Sequence, residues 1–141
     1  MSLRLEDDHM CYACGSENKS GLRLKFQHPE KGRLLSEVVF SKEHQGFKDI
    51  VHGGMMGLVL DEIMLNLVWI EGGLAVTGEL ALRLKKPARV GERVLLEGRV
   101  DKDDGRIVYT SATAKTPGGE LLATAKASCV KIKAPLAEGS K

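Results

Sequence analysis

The run Val51-His52-Gly53-Gly54 opens an apolar stretch that carries two acids, Asp61 and Glu62, near its middle. Ser, Thr, Asp and Asn, the usual caps of a helix start, are all missing from that opening. The first N–H groups of a helix have no partner inside it, and they carry the positive end of its dipole. Glycine lets a ligand approach them closely. Such an end suits an oxyanion developing on an ester or thioester carbonyl. The competing reading is that the glycines only relieve crowding where the helix meets a sheet. These residues alone leave the two readings level.

Asp61 lies among Leu58, Val59, Leu60 and Ile63. A carboxylate withdrawn from water is costly unless it is paired or has a task. Successive helical residues point about 100° apart, so one acid can be buried while the other faces water or a lysine. We assign Asp61 to chemistry. Glu62 shares a face with Asn66, four residues on, and is assigned to structure. Gly53 and Asp61 lie about 12 Å apart along a helix rising about 1.5 Å per residue. One carbonyl cannot touch both on a single helix. If both act on one substrate, they come from two subunits whose helices run side by side and antiparallel, with active sites at the dimer interface. His52 either touches the substrate or holds its loop.

The elements that must position these groups follow from periodicity. The spacing predicts a helix over 54–70, stopped by Gly72-Gly73. Alternation predicts strands at 22–26, 35–40, 76–84, 93–100, 106–116 and 121–132. Residues 42–50 read as loop, and Asp104-Gly105 as a two-residue hairpin turn. Ile107, Tyr109, Ser111 and Thr113 are expected to share one face. Short connections make the last strands antiparallel neighbours. The helix is apolar nearly all round, whereas one flat sheet would bury a single stripe. The expected α+β fold is therefore an antiparallel sheet of five to six strands wrapped around one long central helix, with dimerisation covering the rest.

A chain of 141 residues suits a single domain. We read residues 1–20 as an irregular segment and 133–141 as a polar tail. A net charge of +2, scattered, gives no basic patch for nucleic acid, and 4% aromatic residues give no stacking platform. The apolar run 55–70 approaches membrane-spanning length, but Asp61 and Glu62 at its centre favour a buried soluble helix. No apolar leader is read in 1–9, so the expected location is the cytoplasm, with its three cysteines reduced. No Gly-x-Ser-x-Gly nucleophile turn or phosphate-cradling loop occurs.

The string Val51-His52-Gly53-Gly54, followed after six residues by Asp61, resembles the hotdog-fold acyl-CoA thioesterases of the phenylacetate-degradation type. Val76-Thr77-Gly78-Glu79 through Lys86-Pro87-Ala88, with Gly91-Glu92 beyond, is similar to the next strand of that family. Cys11-Tyr12-Ala13-Cys14-Gly15 with Gly21-Leu22 is similar to a common start of its chains. The resemblance implies an acyl-CoA substrate, no cofactor, and a homodimer that pairs into a dimer of dimers. It makes Asp61 the general base or nucleophile and the Gly53 amide the oxyanion donor, with Gly54 beside it. His52 would help place the carbonyl, and the Thr77 hydroxyl would help hold the attacking water. Some relatives carry an Asn shortly before the His-Gly-Gly; here Gln45 is the substitute. Lys85, Lys86, Arg89 and Arg106 are the candidates for the CoA phosphates. Met56, with Met55 and Met64, offers an adaptable wall for the acyl chain.

Cys11-x-x-Cys14 has the spacing of half a zinc site, but structural zinc normally takes four ligands and no second such pair exists. We expect ordinary packing there and no metal. Two other functions fit a hotdog fold. A hydratase or dehydratase would need a His paired with a carboxylate at a different spacing. A non-catalytic acyl-CoA-binding regulator would not need Asp61.

Overall fold

The computed structural model describes residues 5–133, so the tail expected over 133–141 lies, beyond Lys133, outside the described residues. Strands β1 (Gln27–Glu30) and β2 (Arg33–Val39) precede helix α1 (Gly53–Ile70). Strands β3 (Ala75–Leu84), β4 (Arg93–Asp103), β5 (Ile107–Lys115) and β6 (Leu121–Lys131) follow it. They form one antiparallel sheet in the order β1-β2-β4-β5-β6-β3.

Small residues let the helix settle onto this sheet. Ala123, Ala125, Ala127 and Cys129 of β6 and Ala112 and Ala114 of β5 are buried at alternate positions. At Gly98 of β4 a Cβ would stand 3.2 Å from the carbonyl oxygen of Ile63. The helix buries Met56, Val59, Leu60, Ile63, Met64, Leu67 and Val68 against these strands. Each such side chain contributes about 1.5–3 kcal/mol, so this face alone fixes the helix. Among the described residues α1 is long and apolar enough to cross a membrane, and packing on the sheet accounts for that apolarity on one side. The other side, with Leu58, Asp61, Glu62, Leu65 and Asn66, is half-exposed, and Trp69 and Ile70 are exposed.

One expectation needs correction. The alternating stretch 22–26 is not a strand, and the edge strand lies at Gln27–Glu30. Leu22 and Leu24 donate their N–H groups to the Tyr12 and Ala13 carbonyls instead, and Arg23 has φ 50°, which no strand accommodates. Pro29 is tolerated in β1 because an edge strand can spare an N–H. Ile107, Tyr109, Ser111 and Thr113 share one face of β5 as expected, and it is the face turned away from the helix; Val108, Thr110, Ala112 and Ala114 are buried on the other.

β3 forms the opposite edge, so one side of its backbone is unpaired. From Gly78 to Ala81 it is exposed, and Leu80 and Leu84 are 40% and 53% exposed. A long, apolar, uncovered edge is a template for pairing with another chain.

Candidate active site

The start of α1 is held by the loop before it. Val51 N–H donates to Ala88 O at 2.9 Å, His52 N–H to His44 O at 2.9 Å, and Gly46 N–H to Ile50 O at 2.9 Å. His52 is the N-cap, and its Nδ1 accepts from Gly54 N–H at 2.9 Å. This corrects the expectation of an uncapped start, because the imidazole does what Ser or Asp usually does. A neutral ring that accepts at Nδ1 carries its proton on Nε2. Gly54 N–H is thereby spent. Gly53 N–H makes no hydrogen bond among the described residues.

Gly53 also has a packing reason to be glycine. A Cβ there would stand 2.8 Å from Leu84 Cδ1. Both readings of the glycines, crowding and an open amide, therefore describe the same residue. Gly53 and His52 line a cavity of about 610 Å³ together with Met56, Lys85 and Lys86. Phe47, Ile50, Val51, Leu84, Pro87 and Ala88 also line it. That volume is typical of small-molecule sites. Phe47 is 85% exposed and was not expected here. Its one sequence signal is a large apolar residue in an otherwise polar loop.

Asp61 lies two turns further along α1, outside this cavity. Thr77 Oγ1 donates to its Oδ1 at 2.7 Å. A β-bulge makes that contact. The pairing of β3 with β6 shifts register between Thr77 and Glu79. Leu82 and Leu84 reach Gly57 and Gly53 of the helix, so even-numbered residues face α1 along the second half of β3. The inserted residue flips the parity, and Ala75 and Thr77 face α1 along the first half. Without the bulge, the Thr77 hydroxyl would point away from the helix.

The remaining candidates are placed as follows. Gln45 Oε1 accepts from Asp49 N–H at 3.0 Å, so it braces the loop. Lys86 pairs with Glu120 at 2.5 Å, while Lys85 has no ion-pair partner among the described residues. Arg89 bridges Ile50 through its backbone beside the cavity wall. Arg106 is not brought to the others within one chain. Its carbonyl accepts from Lys131 N–H, and Lys131 pairs with Ala75 at the far end of β3 from Leu84.

Cys11 and Cys14 are also brought together with Glu62, their ligand atoms all within 4.8 Å of one another. Burial, and then the Glu62 carboxylate, push the Cys14 thiol far above its ordinary range. Burial likewise raises the Cys129 thiol; a hydrogen bond to Thr110 opposes this and the nearby Asp61 charge adds to it.

A sequence model of the thioesterase superfamily matches residues 48–123 of this chain. The chain belongs to that superfamily. The matched segment contains the end of the loop, the whole of α1 with Gly53 and Asp61 after its cap His52, and β3 with Thr77. Human acyl-coenzyme A thioesterase 13 is 25% identical over 95 residues, covering 65% of this chain and 68% of that protein. A crystal structure of a thioesterase superfamily protein superposes with a TM-score of 0.82 at 24% identity. It covers 87% of this chain, and the chain spans 61% of that neighbour's length. A phenylacetic acid degradation-related protein from Ralstonia eutropha superposes with a TM-score of 0.71 at 25% identity, covering 77% of this chain and 85% of that one. The hotdog arrangement of one long helix on a six-stranded antiparallel sheet is thus shared with solved thioesterase-superfamily structures.

Proposed function

We propose that this chain hydrolyses an acyl-CoA thioester to the free acid and CoA, in sites each built from two protomers. One protomer contributes the open Gly53 amide and the cavity beside it, and the other contributes Asp61 with Thr77. The carrying observation is that an undonated helix-start N–H and a carboxylate steadied by a hydroxyl lie on one helix, about 12 Å apart at about 1.5 Å per residue. Two antiparallel helices would bring them together. The exposed β3 edge and the half-exposed face of α1, which carries Asp61, are surfaces suited to such a pairing.

In this arrangement the thioester carbonyl oxygen accepts from Gly53 N–H, and the negative charge growing there is stabilised by the helix dipole. Asp61 Oδ1 is occupied by Thr77, which leaves Oδ2 to take a proton from water or to add to the carbonyl carbon. On the first route the hydroxide adds to the carbonyl carbon and collapse breaks the C–S bond to give the free acid. On the second the C–S bond breaks to leave an acyl–Asp61 anhydride, which a water then hydrolyses to the free acid, restoring the carboxylate. On both routes the departing thiolate takes up a proton as CoA. Met56 and Phe47 supply an apolar wall, and Lys85 lies near enough to the mouth to meet a phosphate. The name of the human relative supports CoA as the carrier. Three free cysteines suit a cytoplasmic location, and a dimer of dimers completes the proposal.

Subunit mixing tests this reading. Asp61→Asn keeps the side-chain shape and should lower thioester turnover by about 10²–10⁴, the usual contribution of a general base. Gly53→Pro removes the amide proton. Each variant alone should be nearly inactive. Mixed and reassociated, random dimers should recover about one quarter of parental activity, because half are heterodimers with one intact composite site. If each site were built from one chain, mixing would recover nothing, and the two-protomer site would be refuted.

A further inference from the structure

The residues that thioester hydrolysis leaves unused include a cluster beside the middle of the helix. Cys11 Sγ stands 3.7 Å from Glu62 Oε2, and Cys14 N–H donates to Cys11 Sγ at 3.5 Å. The two cysteines sit on a tight turn closed by Gly15 N–H to Cys11 O at 2.8 Å. The turn is so tight that a Cβ at Gly15 would stand 2.4 Å from Cys11 N and 2.5 Å from His9 O. Glu62 comes from α1, 51 residues beyond Cys11 in the chain, and Asn66 fixes it by donating Nδ2–H to Oε2 at 2.5 Å.

We propose that Cys11, Cys14 and Glu62 form a zinc site, with water as the fourth ligand. Zinc takes thiolate sulfur at about 2.3 Å and carboxylate oxygen at about 2.0–2.2 Å in a tetrahedron, so its ligands stand about 3.6–3.8 Å apart. The Cys11–Glu62 separation has that value, and the whole set lies within 4.8 Å. Two sulfurs with one hard oxygen favour zinc over magnesium or calcium, which take oxygen alone. The backbone donor on Cys11 Sγ and the amide donor on Glu62 are the outer supports that orient metal ligands. Charge also balances. The ion replaces two thiol protons, which leave to solvent, so two thiols and a carboxylate become a zinc dithiolate carboxylate of the same net charge. The fourth position faces a cavity of about 440 Å³ bordered by Asp7, Leu65 and Trp69, where water can enter. The site fastens the N-terminal turn to α1 at the residue next to Asp61.

The experiment uses the full chain, reduced with a non-thiol reductant and offered zinc alone, with metal content read by mass spectrometry after gel filtration. Stoichiometric zinc is expected, with a melting midpoint lowered by chelator. Cobalt in its place should show sulfur-to-metal charge-transfer absorption and the intense visible bands of a tetrahedral ion. Cys14→Ser and Glu62→Gln should each weaken zinc binding by at least about tenfold, while Cys129→Ala should retain it. Circular dichroism checks that each variant is folded, and the cobalt spectrum of the unaltered chain needs no variant. Three results would each overturn the site: reduced chain that keeps no zinc, cobalt without the thiolate band, or folded Glu62→Gln that binds as tightly as the parent.

Discussion

Replacing Gly53 by proline asks whether its N–H acts on the substrate, and the local geometry makes the question clean. His52 is the N-cap, so Gly53 is the first helical residue, where proline is well tolerated and the lost N–H has no intrahelical partner. His52 has φ −59° and ψ 134°, the extended conformation that a residue before proline prefers. The added carbon meets Leu84 Cδ1 at 2.8 Å, but Leu84 is 53% exposed, so the end of its side chain has room to turn aside. Gly53→Ala adds that same carbon while keeping the N–H, so the ratio of the two variants isolates the proton. Either replacement gains about 0.4–1 kcal/mol from a stiffer unfolded chain and loses a similar amount in moving Leu84. Both should therefore stay folded with midpoints near the parent's. Loss of one oxyanion donor typically costs 10²–10³ in kcat, about 2.7–4 kcal/mol. The assay is thiol release from a panel of acyl-CoA substrates, with kcat and KM separated. We expect Gly53→Pro to fall by about that factor below Gly53→Ala in kcat, with little change in KM. Equal kcat in two folded variants would remove the Gly53 amide from the mechanism and leave the glycine explained by Leu84 alone.

Three further outcomes are expected. Thr77→Val should lower kcat about tenfold by freeing the Asp61 carboxylate, since a hydrogen bond to a charged group is worth about 1.5–3 kcal/mol; Thr77→Ser should restore it, and a silent Val variant would make the hydroxyl structural only. Gly15→Ala should cost about 1–3 kcal/mol in denaturant unfolding, because the new carbon meets backbone that cannot move aside, and it should speed alkylation of Cys14. On the acid side, Arg93 holds the Glu37 carboxyl below its ordinary value. The Gly105 N–H, then Lys131, do the same for Asp103, and the Ile107 and Arg106 N–H groups for Asp104. A depressed folded value means stability that is complete above the unfolded value and lost as pH falls through the folded one. The melting midpoint should therefore decline below about pH 4. The decline should be shallow, because all three carboxylates are solvent-exposed, and a midpoint that rises on acidification would contradict the pairing.

What the sequence disclosed and what it hid divide along a physical line. The helix was legible because apolar residues recur along its whole 18-residue length and stop at Gly72-Gly73. Asp61 was legible because an acid in such a helix is an energetic anomaly that needs a reason. The His52 cap was harder to read, because an imidazole Nδ1 can replace a Ser or Asp oxygen only when the loop 44–51 sets its angle, and that loop is held by bonds to Ala88 and His44. The strand expected at 22–26 failed because its alternation is satisfied elsewhere: Leu24 is buried beside the turn at Tyr12-Ala13 rather than on the sheet. The bulge at Gly78 was invisible for a deeper reason. Alternation reports which residues share a face only while the register is unbroken, and one inserted residue reverses the answer for everything before it. Counted by twos from Leu84, Thr77 falls on the wrong face, yet in the fold its hydroxyl reaches the Asp61 carboxylate. A glycine within an otherwise apolar strand, followed by an exposed Glu79 beside the suspected site, is the local signal that such a reversal leaves behind. Glu62 shows the same limit from the other side. Its spacing from Asn66 was readable, but its meeting with Cys11 and Cys14 depends on a turn folding across the helix, which no local period encodes. Pattern locates side chains that must leave water, whereas the chemistry here depends on where the pattern is broken and on what the break allows to meet.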